Sequence, residues 1–139
     1  MTNNLPMRVS AVIERNVDGK YCVYIDNDSL EFGVNGFGNT VEEAKNDIVL
    51  AYAEIKKVFT EEGKSTPDLV FEFKFDVASF LEHYSKILSL AGLERLTGIN
   101  QGQLSHYVTG RRKPSHKTVE KISRSLHEFA SEISQVQLV

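Results

Sequence analysis

Hydrophobic and polar residues alternate in two short segments near the start of the chain, residues 8–14 and 21–25. The apolar members of this alternation are Val9, Ala11, Ile13, Tyr21, Val23 and Ile25. A period of two places every second side chain on the same face of a β-strand. Because Asp18-Gly19 between the segments is a tight-turn signal, the pattern predicts a β-hairpin.

A third, weaker strand is predicted over residues 30–35, and Gly36 and Gly38 are expected to loosen the chain after it. A helical period follows. Thr40 and Glu43 have the spacing of a capping box, in which each side chain satisfies a backbone donor near the other. The apolar residues of the predicted helix are Val41, Ala44, Ile48, Ala51, Tyr52, Ile55 and Phe59. The helix should stop near Gly63, since glycine suits the left-handed position after a helix.

After Pro67 the period returns to two. The apolar members are Leu69, Phe71, Phe73 and Phe75. This pattern predicts a fourth strand whose aromatic face packs on the helix. Residues 1–76 are therefore expected to form a β-β-β-α-β domain.

The second half of the chain shows helical spacing throughout. Asp76 is placed to cap a first helix, whose apolar series runs on to Leu88, and Ser89 to cap a second, short one. A third helix is predicted over residues 100–109, and Pro114-Ser115 begins a fourth.

The fourth predicted helix carries an apolar stripe that is longer than a small helical domain needs for its own core. Its members are Val119, Ile122, Leu126, Phe129, Ala130 and Ile133. Surplus apolar length of this kind indicates a contact with a second subunit. The chain is thus predicted to be an α+β protein in which a small β-β-β-α-β domain, 1–76, precedes an all-α domain, 77–139, that dimerises through its last helix.

Residues 98–114 are the most informative segment. Gly98 can take a positive φ and end one helix. Leu104 and Tyr107 fall on the buried side of the next helix, whose other side is polar. Gly110 ends that helix, and three cations and a proline follow. This order is typical of a helix-turn-helix DNA-binding motif.

Side chains near the start of a recognition helix reach base edges, and the polar groups around it hold phosphates. The predicted base-reading residues, expected to project away from Leu104 and Tyr107, are Gln101, Gln103 and His106. The predicted phosphate-binding residues are Asn100, Ser105, Thr109, Arg111, Arg112 and Lys113. Each alone is more often a solvated surface residue, but together with the two glycines and the proline they favour double-stranded DNA as a partner.

The charge of the chain is divided between its halves. The 139 residues carry a net charge of −3, which residues 1–76 contribute as −6 and residues 77–139 as +3. The basic excess is concentrated in residues 89–124, which carry +5 and contain the helix-turn-helix pattern. An acidic half joined to a basic half indicates two partners of opposite charge.

Composition also limits the expected cellular location of the protein and the chemistry that it can perform. A single cysteine, Cys22, forms no internal disulfide, which fits a reducing cytoplasm. No apolar run is long enough to span a bilayer, and the first residues show no secretory signal, so we expect a cytoplasmic protein without a membrane partner. The four histidines lack the paired spacing of metal sites, so we expect no metal.

Metal-dependent nuclease catalysis would need several carboxylates that converge on metal ions. The candidate carboxylates are Asp26, Asp28, Glu42, Glu43 and Asp76. Turns and helix caps account for Asp26, Asp28, Glu43 and Asp76. Because the chain also lacks a Ser-His-Asp order, a glycine-rich phosphate loop and an activated cysteine, we expect a non-enzyme with no catalytic residue and no cofactor.

Residues 77–124 resemble the Cro/repressor type of helix-turn-helix. The resemblance is carried by the Gly98-Ile99-Asn100 turn, the Leu104-Ser105-His106-Tyr107 pattern and the Gly110 to Pro114 exit. The chain departs from that family at Glu94, where a small residue is usual, and at Leu90, where a phosphate-binding glutamine is common. Because a single helix-turn-helix buries little surface against DNA, we expect a dimer that reads two half-sites.

Residues 8–75 resemble the HicB-type antitoxin domain, a partial RNase H-like unit. The matching segments are VSAVIE at 9–14, DGKYCV at 18–23 and GNTVEEA at 38–44, whereas NDSL at 27–30 replaces the expected Asp-Leu-Pro-Gly-like segment. The two resemblances together imply a homodimeric or higher oligomeric autorepressor whose first domain neutralises a HicA-like RNase toxin.

The residues themselves leave a second interpretation open. An acidic domain suits the cationic surface of an RNA-cleaving toxin, but acidic surfaces also simply keep proteins soluble. The alternative is a solitary helix-turn-helix transcriptional regulator whose first domain binds a small ligand or oligomerises.

Overall fold

The structure is a computed structural model that describes residues 5–26 and 30–139. The chain divides after Asp76 into two compact units. The first unit contains β1 (Met7–Arg15), β2 (Tyr21–Ile25), β3 (Asn35–Gly38), α1 (Val41–Glu61) and β4 (Leu69–Phe75). The second contains α2 (Val77–His83), α3 (Leu90–Thr97), α4 (Gln101–Val108) and α5 (His116–Ser134). The predicted α+β class, with a small sheet before a set of helices, is confirmed.

The four strands form one sheet in the order β3-β2-β1-β4. β1 and β2 pair antiparallel with Ile13 opposite Val23, which confirms the predicted hairpin, and Gly19 turns it with a φ of 82°. β3 pairs antiparallel with β2, and β4 pairs parallel with β1. The connection from β3 through α1 to β4 therefore carries the chain across the sheet.

The core of the first unit lies between one face of the sheet and α1. Its fully buried members include Ala11, Ile13, Val23, Ala44 and Ile48. The rings of β4 pack against this core as predicted, and Phe71 meets Tyr52 of α1 edge to face with ring centroids 6.3 Å apart. Burial of this apolar surface is the main force that holds α1 on the sheet.

The third strand lies at Asn35–Gly38, so the prediction of a strand over residues 30–35 is wrong. The two glycines that were expected to loosen the chain lie inside the strand. A Cβ at Gly36 would come within 2.5 Å of the Ala44 carbonyl oxygen and of the Ile48 nitrogen. Glycine is therefore present here because the backbone of α1 passes directly over the strand.

The ends of α1 follow the prediction except in one bond. Thr40 Oγ1 accepts from the Glu43 N–H at 3.1 Å, as the capping box requires. The Glu43 carboxylate, however, accepts from the N–H of Asn39 and not from that of Thr40. At the other end Gly63 takes a φ of 76° directly after the cap residue Glu62, which confirms the predicted stop.

In the second unit the first helix is shorter than its apolar series predicted. α2 ends at His83, and residues 84–87 turn. The Ser85 hydroxyl donates to the Glu82 carbonyl at 2.8 Å. A side-chain bond of this kind competes with the backbone bonds that would continue the helix. Ile87 consequently lies 79% exposed and outside the core. Asp76 directly precedes α2, and its Oδ1 is buried with no hydrogen-bond partner among the described residues.

Candidate nucleic-acid interface

The turn between α3 and α4 is fixed by three local devices. Gly98 takes a φ of 75° and donates its N–H to the Glu94 carbonyl at 2.8 Å, which ends α3. The buried Thr97 hydroxyl donates to the Leu93 carbonyl and accepts from the Ile99 N–H at 3.1 Å. Asn100 then caps α4, because its Oδ1 accepts from the Gln103 N–H at 3.0 Å. The predicted helix-turn-helix geometry is thus present in detail.

The core of the second unit anchors α4. Leu104 is fully buried and Tyr107 nearly so, and they pack with Leu81 of α2 and Leu93 of α3. A helix that is clamped on one side by two others has a fixed orientation, so its opposite side presents a rigid surface. That side begins with the exposed Gln101.

The three predicted base-reading residues differ in exposure and in partners. Gln101 is exposed, and its Nε2 donates to Glu94 Oε2 at 3.2 Å. Gln103 is half-buried and donates to the hydroxyl of Tyr107 at 3.0 Å. The expectation that Gln103 projects away from Tyr107 is therefore wrong, because residues four apart lie on one helix face. His106 is half-buried, and its Nδ1 has no hydrogen-bond partner among the described residues.

The predicted phosphate-binding residues surround α4. Ser105 is half-buried, while Asn100 and Thr109 are exposed, although Asn100 Oδ1 is already used in the cap and Thr109 donates to the His106 carbonyl. The three cations that follow the helix are exposed, and none of them forms an ion pair within residues 5–26 and 30–139; they are Arg111, Arg112 and Lys113.

The basic segment is tied directly to the end of α4. Gly110 takes a φ of 76° and donates to the Tyr107 carbonyl at 3.2 Å. The Arg112 N–H donates to the His106 carbonyl, also at 3.2 Å. The backbone that carries the cations is therefore held in place relative to the helix, as a phosphate-binding segment needs to be.

The structure adds one cation that the sequence reasoning missed. Lys121 of α5 is exposed, and its Nζ lies 3.8 Å from the position that a Cβ would take at Gly98. This places an ammonium group beside the turn that begins α4. The available signal was the spacing of Lys117 and Lys121, which are four residues apart and so share a helix side.

The residues considered above for metal or thiol chemistry are Asp26, Asp28, Glu42, Glu43 and Cys22. Asp26, Glu42 and Glu43 are exposed, and Asp28 lies outside the described residues. In the described part of the chain, no three His, Cys, Asp or Glu residues are grouped so that they could hold a metal ion. Burial raises the pKa of the Cys22 thiol, and the carboxylates of Glu14 and Asp76 raise it further, which keeps the thiol protonated and a weak nucleophile.

Within the described ranges, no helix combines the length and the apolar character that a membrane crossing requires.

A comparison with known families agrees with this geometry. Residues 81–128 match the family model described as helix-turn-helix. The match includes the whole of α3 and α4 and confirms the predicted Cro/repressor-type motif. The chain matches no curated protein and no solved structure. The second unit therefore contains a helix-turn-helix of the kind that DNA-binding transcriptional regulators use.

Proposed function

We propose that this chain is a non-enzymatic, cytoplasmic antitoxin that represses its own operon through α3 and α4 and neutralises a HicA-like RNase toxin through its first unit. One observation carries the DNA half of the proposal. An exposed glutamine, Gln101, begins a helix that Leu104 and Tyr107 hold rigidly, and exposed cations follow that helix. This is the arrangement that base reading and phosphate binding together require.

A single helix-turn-helix buries little surface against DNA, so the proposal includes a homodimer that reads two half-sites. α5 supplies an apolar surface for this contact. Its stripe is buried at Ile122 but reaches solvent towards the end of the helix, where Ile133 is 52% exposed. We expect the half-sites to be separated by about 34 Å or a multiple of that distance.

The first unit offers a surface that suits a cationic partner. We call it the acidic stripe; its members, spaced by three or four residues along α1, are Glu43, Asp47, Leu50, Glu54, Val58 and Glu61. All six are exposed, and Leu50 in the middle is 63% exposed. Residues at this spacing lie along one side of a helix. Apolar side chains between carboxylates favour a partner that combines an apolar patch with lysines or arginines.

The DNA half is tested with the DNA upstream of the gene and the purified protein. We expect binding in two-fold symmetric half-sites, and repression of a reporter that is driven by this DNA. Binding that shows no preference for this DNA over unrelated duplexes would contradict autorepression.

The toxin half is tested with the product of the neighbouring reading frame. We expect a short basic protein that co-purifies with this chain and whose RNase activity this chain blocks. Glu54→Lys in the acidic stripe should weaken the complex. Glu31→Lys is the control, since it makes the same charge change at an exposed position outside α1. Equal weakening by both variants, or by neither, would remove the acidic stripe from the proposal.

A cleft in the first unit favours the second candidate function, a solitary regulator that responds to a small ligand. The cleft has a volume of about 520 Å³ and is lined by the rings of Phe32 and Phe59 together with Lys64 and Thr66. A neighbouring gene for a short, basic, toxin-like protein favours the antitoxin. The regulator is favoured if no such gene is present and a metabolite changes the affinity of the protein for operator DNA.

A further inference from the structure

β4 forms one edge of the sheet, and its backbone shows which residues present hydrogen-bonding groups outward. The Met7 N–H donates to the Asp68 carbonyl at 2.8 Å, and the Asp76 N–H donates to the Ile13 carbonyl at 3.4 Å. The even-numbered residues therefore point their backbone groups towards β1. Because successive residues of a strand alternate, Phe71 and Phe73 point theirs towards the outer edge. In the described part of the chain, no strand pairs with that edge.

The side chains of β4 follow a charge pattern that is complementary to itself. Glu72 and Lys74 are exposed on the face of the sheet opposite α1, and Phe73 between them is half-buried on the helix side. In an antiparallel pair of two such strands centred on Phe73, Glu72 of each copy lies opposite Lys74 of the other. Both charged positions are then matched in one register.

The backbone supports the same register. A residue whose backbone N–H and C=O groups point outward must lie opposite a residue of the same kind in the other copy. Phe73 of one copy and Phe73 of the other therefore form a hydrogen-bonded pair. Glu72 and Lys74 then form non-hydrogen-bonded pairs, in which the Cα atoms are about 4.5 Å apart and the side chains are closest. A pair centred on Glu72 instead places two carboxylates opposite each other and is destabilised.

We propose that the outer edge of β4 binds β4 of a second copy of this chain, antiparallel and centred on Phe73, so that two sheets join into one. The Arg8 guanidinium already lies 3.1 Å from Glu72 within one chain. In the joined sheet Glu72 lies between Arg8 and Lys74 of the other copy. The surface is an interaction site for the chain itself, formed by β4 of the first unit and not by α5.

The test uses the whole 139-residue chain and measures its mass by sedimentation velocity and native mass spectrometry over a concentration series. Glu72→Lys alone makes both cross-strand pairs Lys–Lys, and Lys74→Glu alone makes both Glu–Glu. We expect each single variant to raise the dissociation constant of this contact by about 30-fold or more, since two attractive pairs become repulsive. Arg8→Ala is the control for loss of the bridge within one chain and should have a much smaller effect.

The decisive measurement is the mass of a mixture of the two single variants. In a mixed pair every Lys at 72 or 74 lies opposite a Glu, so the mixture should recover the mass that each variant alone has lost. Recovery also shows that both variants fold. The proposal is overturned if the single variants keep the mass of the unaltered protein, or if they lose it and mixing fails to restore it.

Discussion

The side-chain amide of Gln101 donates a hydrogen bond to the Glu94 carboxylate, with Nε2 and Oε2 3.2 Å apart. This bond joins α3 and α4 on the side where DNA would lie. The amide that we expect to read a base is therefore held by a group that repels phosphates. We therefore expect Glu94 to limit both the affinity of the helix-turn-helix for DNA and the freedom of the Gln101 side chain.

Glu94→Gln should raise the affinity for operator DNA by about 3- to 10-fold, because it removes a negative charge near the phosphates and keeps a hydrogen-bond partner for Gln101. Fluorescence anisotropy with labelled duplex at fixed salt measures the change. Glu132→Gln makes the same charge change near the end of α5, where the side chain is exposed, and should leave the affinity unaltered. A lower affinity of Glu94→Gln would show that the carboxylate positions Gln101 productively.

Arg112→Ala should weaken binding to operator and unrelated duplexes alike. Its guanidinium is exposed while its backbone N–H is bonded to the end of α4, so we assign it a phosphate and not a base. The slope of log affinity against log salt concentration should fall in magnitude by about 1. Lys86→Ala, an exposed cation in the turn after α2, is the comparison. A loss confined to operator DNA would instead give Arg112 a base-reading role.

Gly36→Ala should destabilise the first unit by about 1–3 kcal/mol, because its Cβ would lie within 2.5 Å of backbone atoms of α1. Gly33→Ala is a matched control, since a Cβ there meets no atom within 4 Å. Urea unfolding followed by circular dichroism gives both free energies. Equal stability of the two variants would mean that α1 can move away from β3 at little cost.

Burial and a hydrogen bond to Glu14 Oε1 at 2.9 Å raise the pKa of Tyr24 to about 12 from an ordinary value of 10.0. Because the folded state favours the protonated phenol, this contribution to stability is fully present below pH 10.0 and is lost as the pH rises through about 12. Ultraviolet titration of tyrosinate should show one fewer group titrating near pH 12 in Tyr24→Phe. If the variant instead lacks a group that titrates near 10.0, the hydroxyl is not held as described.

The sequence predicted those parts of the fold in which local signals and tertiary contacts agree. The helix-turn-helix followed from Gly98, Asn100 and the buried pair Leu104 and Tyr107, because turn chemistry and helical period point the same way there. β3 was misplaced because the reason for Gly36 is the backbone of α1, which no local pattern reveals. The end of α2 was missed because the apolar residues up to Leu88 continue the helical period although the chain turns.

The candidate site was predictable in outline but not in its contacts. The identity of Gln101 and of the three cations could be read from their order along the chain. The hydrogen bond between Gln103 and Tyr107 depends on side-chain rotamers. The hydrogen bond between Gln101 and Glu94 depends on how closely α3 and α4 cross. Lys121 lies far from the motif in sequence and reaches Gly98 only because α5 packs on α3.

We expect α4 to read bases through Gln101. The most direct test is a competition titration in which unaltered protein and Gln101→Ala bind the duplex from upstream of the gene and a scrambled duplex of equal length. We predict that Gln101→Ala loses about 1–3 kcal/mol on the upstream duplex and nothing on the scrambled one. An equal loss on both duplexes, or no loss on either, would contradict the claim.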